Sequence, residues 1–136
     1  MPESRSVLLL EPDYLLRRTV VAAARSLFQV DITETSRYES AQALVRGQRY
    51  DGLILALDDE SDQVLTLIQR LRAGELIPAH DSPVALLCYE PDRRRSDIIT
   101  ALGVQRIVIK PAKVKQILGT LATMAPARPA HQPWAA

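Results

Sequence analysis

The residues best suited to chemistry are spread along the chain. Glu11 and Asp13 follow a first apolar run, Asp58 and Asp59 a second, Cys88 a third, and Lys110 a fourth. Carboxylates such as Glu11, Asp58 and Asp59 are ligands for a hard divalent cation. A lysine ammonium offsets anionic charge, and a thiol near it becomes reactive when its pKa falls. Other chemistries are excluded. Cys88 is the single cysteine and the two histidines, His80 and His131, lie far apart, so neither a zinc-type cluster nor an internal disulfide is expected. Glu11-Pro12-Asp13 stands after the first apolar run, where a nucleotide-phosphate cradle would need a glycine-rich loop.

These residues must be positioned by the elements between them. Val7–Leu10, Leu53–Leu57, Val84–Leu87 and Ile107–Ile109 are short, continuous apolar runs, as in strands buried on both faces. Val30 and Ile32 alternate with polar residues, as in an edge strand. Between them lie helical spacings: Leu16, Val20, Ala23, Ala24 and Leu27; Ala41, Leu44 and Val45 within 36–48; Val64, Leu67, Ile68 and Leu71; and Val114, Ile117, Leu118 and Leu121. A polar-starting helix is expected over 92–102, with Gly103 ending it in a left-handed conformation. Asp13 is expected to cap the first helix, and 74–83 is expected to be a loop.

Strand and helix alternate five times, which predicts an α/β fold, a (βα)5 doubly wound parallel five-stranded sheet with helices on both faces. Such sheets place their sites at the carboxyl ends of the strands. Glu11–Asp13, Ala56–Asp59, Cys88–Glu90 and Lys110 are therefore expected to converge. From Ala125 the composition shifts to Pro and Ala without periodicity, so the domain is expected over 1–124, with 125–136 as a disordered tail or linker and Trp134 at most a partner anchor.

The 136 residues suit one domain with its own core, and a formal net charge of +1 gives no argument for nucleic acid. No apolar run approaches the roughly 20 residues that span a bilayer. No signal peptide is read in the first residues, and a lone cysteine fits a reducing compartment, so a cytoplasmic location is expected.

The sequence resembles the receiver domains of bacterial response regulators (the CheY-like family) over roughly residues 5–124. Leu8-Leu9-Leu10-Glu11-Pro12-Asp13 is similar to the family's first strand and acidic cluster. Tyr50 to Leu57 is similar to its third strand, and Ser82 to Cys88 to its fourth. Ala101-Leu102-Gly103 through Ile109-Lys110-Pro111 is the most specific match, to the segment that ends in Lys-Pro before the last helix. The resemblance implies strand order 2-1-3-4-5, an order known from such proteins. It also implies two-component signalling, with a histidine kinase, an output protein or a second copy of the chain as partner.

Receiver chemistry requires a carboxylate nucleophile toward phosphorus, a magnesium ion held by oxygen ligands, a lysine, and a hydroxyl that binds the attached group. By resemblance Lys110 and Pro111 keep their places, and Glu11 occupies the first acidic position. The second acidic position falls on Pro12, the phosphoacceptor position on Ala56, the hydroxyl position on Cys88, and the aromatic switch position on Ile107. Three of the core chemical positions, at Pro12, Ala56 and Cys88, are lost together, which reads as degeneracy of the whole site rather than one replacement.

A pseudo-receiver is therefore expected, not an enzyme, working by protein–protein interaction without cofactor or direct nucleic-acid contact. Its partner face is expected to include Arg93, Arg94, Arg95, Arg106, Lys113 and Lys115. The alternative is an atypical phospho-acceptor using Asp58 or Asp59 with Mg2+. Asp58 lies about 6.6 Å beyond Ala56 along an extended chain, which carries its carboxylate past the lysine and favours a solvated acidic loop. Glu11, Asp58 and Asp59 remain weak metal candidates. Lys110 is expected to pair with Glu11 in a structural role, and Cys88 to fill space rather than sense redox state.

Overall fold

Ten elements alternate along the chain, and in the computed structural model, which describes residues 4–129, they form one layer of sheet between two layers of helix. The strands are β1 (Arg5–Leu10), β2 (Val30–Thr35), β3 (Gly52–Ala56), β4 (Val84–Cys88) and β5 (Arg106–Ile109). The helices are α1 (Tyr14–Leu27), α2 (Tyr38–Gly47), α3 (Gln63–Arg72), α4 (Arg93–Ala101) and α5 (Val114–Leu121). All strand pairs are parallel, in the order β2-β1-β3-β4-β5. This is the doubly wound parallel sheet expected from the alternation, in the strand order that the resemblance implied.

The uniform apolar runs become the central strands because both of their faces are covered. Leu8, Leu10, Leu53, Leu55, Val84 and Leu86 point toward α2 and α3, where Ala41, Val45, Val64, Leu67, Ile68 and Leu71 meet them. Val7, Leu9, Ile54, Ala85, Leu87 and Val108 point the other way, toward Val20, Val21 and Ala24 of α1 and Ile117 and Leu121 of α5. The buried stripe of α1 is thus centred on Val20, Val21 and Ala24, while Leu27, expected inward, lies half exposed at the helix end. Gly52 opens β3 where Met124 crosses it; a Cβ there would meet the Met124 sulfur at 3.0 Å.

Helix ends follow local chemistry. The Asp13 carboxylate accepts from the Leu16 amide at 3.0 Å, and the Asp92 carboxylate from the Arg95 amide at 2.8 Å. Gly103 has φ +66°, a left-handed turn that releases the chain from α4 into β5. Arg72, the last residue of α3, ties this turn down. Its guanidinium donates to the carbonyls of Leu102, His80, Ser82 and Gly103 at 2.8, 2.9, 2.7 and 3.2 Å.

The boundary expected at 124/125 moves outward. Ala125 is buried, the Gln29 amide donates to the Pro126 carbonyl at 2.8 Å, and the Arg128 amide donates to the Leu27 carbonyl at 2.9 Å. Phe28 and Ala127 form an antiparallel bridge. Backbone groups left free at the α1–β2 corner draw this short segment in, although its composition carries no periodic signal. The expectations for 130–136, including Trp134, lie outside the described residues. Among the described residues no helix is long and apolar enough to cross a membrane.

Candidate functional site

The carboxyl ends of the strands meet at a cleft of about 570 Å³. Its walls include Leu10, Pro12, Ala56, Asp58, Asp59, Tyr38, Tyr89 and Lys110. Parallel pairing in register brings these positions together: Leu10 lies beside Leu55, Ala56 beside Leu87, and Cys88 beside Ile109. Residues that a sequence scatters over a hundred positions thus share one sheet edge.

Glu11 continues β1, its amide bonded to the Thr35 carbonyl at 3.0 Å, and its side chain is 1% exposed. Both carboxylate oxygens are committed. Oε2 accepts from the Asp13 amide at 2.9 Å. Oε1 lies 2.6 Å from Nζ of Lys110, an ion contact by distance without the alignment of a hydrogen bond. Lys110 continues β5, its amide donating to the Cys88 carbonyl at 2.8 Å, and its side chain is 18% exposed. The peptide bond from Lys110 to Pro111 is cis. The Glu11 carbonyl is also engaged, accepting from Nη1 of Arg17 at 2.9 Å, while Arg17 and Arg18 both pair with Glu34 of β2.

Ala56 ends β3 and is almost fully buried, presenting a methyl group and no nucleophile. Pro12 is exposed and offers no carboxylate. Asp58 and Asp59 are exposed on the loop after β3, and Asp58 turns back on its own chain, its Oδ1 accepting from the Glu60 amide at 2.8 Å. Asp13 serves as the α1 cap. Among the described residues no three His, Cys, Asp or Glu side chains gather closely enough to share a metal ion. The residues present do not fit magnesium. One buried carboxylate is paired, its carbonyl is taken, and the remaining acids face solvent.

Cys88 closes β4 and is 2% exposed. Burial pushes its thiol up, and the charge of Asp59 acts in the same direction, against Arg95 and Lys110. A thiol held protonated fills space and is a poor nucleophile.

The arginine cluster departs from the expectation. Arg93 is exposed, but Arg95 is only 9% exposed and points inward, with Nε 3.0 Å from Oδ1 of Asp62 and Nη2 donating to the Ser61 carbonyl at 2.9 Å. Arg94 takes the other oxygen of Asp62 at 3.0 Å. Asp62 precedes α3, so this triad staples the start of α4 to the start of α3. Arg95 is therefore withdrawn from the expected partner face, and Arg94 is already paired. Some desolvation raises the Asp62 pKa, but hydrogen bonds and charge from Arg94 and Arg95 outweigh it and hold the carboxyl below its ordinary value. Sequence reasoning missed Asp62, whose only visible signal was its place before a helix, the position of a cap.

Arg106, Lys113 and Lys115 are exposed. Beside them Ile107 and Ile109 project from β5 at 37% and 45% exposure. They share the face of the sheet that carries α4, yet α4 leaves them uncovered.

No family model matches this sequence, and no curated protein matches it. The fold has many solved counterparts. A response regulator receiver protein from Pseudomonas putida is 18% identical, with a TM-score of 0.73 over 90% of this chain and 99% of that one. A receiver domain of a Pseudomonas aeruginosa sensor histidine kinase, with magnesium coordinated in its active-site cleft, is 19% identical, with a TM-score of 0.65 over 89% and 97%. A structure described as adenylate cyclase from Rhodopirellula baltica is 19% identical, with a TM-score of 0.70 over 88% and 86%. At these identities the likeness is one of fold, and the structural neighbours are mostly CheY-like receiver domains.

Proposed function

We propose that this chain is a pseudo-receiver. It acts in two-component-type signal transduction by protein–protein interaction, without accepting a phosphoryl group. The carrying observation is the methyl group of Ala56 at the end of β3, in a cleft whose lysine is already bound by Glu11. Phosphoryl transfer to protein needs an oxygen nucleophile in line with the donor, and positive charge around the transferred oxygens. Here the nucleophile position is aliphatic, and the ammonium is neutralised by a buried carboxylate.

The partner surface is the side built by α4, β5 and α5, revised to Arg93, Arg106, Lys113 and Lys115 around Ile107 and Ile109. Apolar side chains rimmed by exposed cations suit an acidic partner surface with an apolar centre. A histidine kinase, an output protein or a second copy of the chain are the partner classes that the fold suggests. The protein works without catalysis or cofactor, in the cytoplasm.

The competing reading, phosphorylation at Asp58 or Asp59 with Mg2+, draws on the fact that both line the same cleft as Lys110. Incubation with acetyl phosphate and MgCl2, followed by intact-mass measurement, separates the two. The expected spectrum is unchanged; a stable added phosphoryl mass that disappears in D58N or D59N would establish the competing reading.

A further inference from the structure

We infer that the Lys110 ammonium is the resident cation of this cleft, and that it closes the end of β1 to divalent metal ions. Glu11 is the one buried carboxylate here, and its Oε1 has Nζ of Lys110 at 2.6 Å. Its Oε2 is held by the Asp13 amide, and its carbonyl oxygen by the Arg17 guanidinium. A hard divalent ion seeks about six oxygens around it. At this position it would find one carboxylate, and would sit beside an ammonium that this same carboxylate already neutralises, and near a guanidinium held by Glu34. Like charges a few ångströms apart in a partly desolvated site repel by several-fold more than in water.

Nor do the exposed acids complete a ligand set, since among the described residues no three His, Cys, Asp or Glu side chains gather closely enough to share an ion. Asp58 is turned toward the Glu60 amide, and Asp62 is occupied by Arg94 and Arg95. Pro12 and Ala56 have no side-chain oxygen to give. The side chains that would draw a metal inward are absent, and the one that remains has been given a protein cation instead. This inference does not depend on the signalling role, since a domain could bind metal without accepting a phosphoryl group.

The test uses Mn2+ as a paramagnetic probe, with amide NMR spectra of the full chain and of K110M, which keeps the apolar stem and removes the charge. In the wild type, the Glu11, Asp13, Ala56 and Lys110 amides are expected to broaden no more than surface sites across a millimolar titration. In K110M, broadening centred on Glu11 is expected at Mn2+ concentrations at least about tenfold lower. Saturable broadening at these amides in the wild type overturns the inference. So does a folded K110M that stays as silent as the wild type, because the ammonium would then not be the barrier. Should K110M fail to fold, K110Q keeps a hydrogen-bond donor toward Glu11 without charge and is read by the same criteria. Metal binding without phosphoryl uptake would sink this inference alone, and phosphoryl uptake the signalling proposal.

Discussion

Oε1 of Glu11 and Nζ of Lys110, ninety-nine positions apart in the chain, stand 2.6 Å from one another across the ends of β1 and β5. Strands β1 and β5 are not neighbours in the sheet; β3 and β4 lie between them. The pair therefore ties two loops that the backbone hydrogen-bond ladder does not connect directly.

Removing one member of this pair should cost more than removing both. K110M leaves a buried carboxylate with a single backbone donor and is expected to lose about 3 kcal/mol of stability, the scale for an orphaned buried charge. E11Q/K110M, with no charge left to orphan, should recover much of that loss. Urea unfolding of the four members of the double-mutant cycle measures the coupling. Equal losses in K110M and the double variant would show that the ion contact has no energetic role.

Asp62 sets a stability change in acid. Its folded pKa lies below the ordinary 3.8, so the unfolded chain takes up the proton first. The stabilisation is present in full above the ordinary value and is lost as pH falls through the folded one. D62N should be less stable than the wild type at pH 7, with the difference shrinking below about pH 4. Denaturant midpoints at pH 7 and pH 3 check this; a difference that stays constant would remove Asp62 from the titration.

Arg72 should prove a stability residue without functional chemistry. R72A leaves the carbonyls of Leu102, His80, Ser82 and Gly103 without their shared donor and is expected to cost about 2–3 kcal/mol. R72K keeps the charge but lacks the planar fork, and should restore less than half of the loss. Thermal melts of the two variants give the comparison.

Cys88 should resist modification while the protein is folded. Burial raises its pKa and blocks access, so a soluble disulfide reagent should label it far more slowly in buffer than in denaturant. Labelling at equal rates would reopen a redox role.

Much of the fold was legible because its determinants are local or periodic. Val7–Leu10 and Val84–Cys88 are apolar at every position, which only a strand covered on both faces requires. Asp13, Asp92 and Gly103 carry helix-end chemistry in their own side chains or lack of one. The convergence of Glu11, Ala56, Cys88 and Lys110 followed from parallel order alone. The pairing of Glu11 with Lys110 was expected, but the other pairings between segments could not be read. Asp62 and Arg95 are 33 positions apart, and nothing in either neighbourhood marks the other. Arg72 recognises carbonyls, which every residue has, so its partners leave no trace in the side-chain sequence. The segment from Pro126 to Arg128 is held by its backbone, and proline-rich composition points away from such an attachment.

That attachment also fixes the end of the molecule at which residues 126–128 lie. The chain passes Arg128 beside the junction of α1 and β2, at the amino ends of the strands, while the cleft opens at the other end of the sheet. A dye, affinity handle or fused protein joined at residue 129 thus starts from the back of the molecule. A sensor surface that grips the protein by that route would display Lys110 and the loops around it outward to whatever flows past.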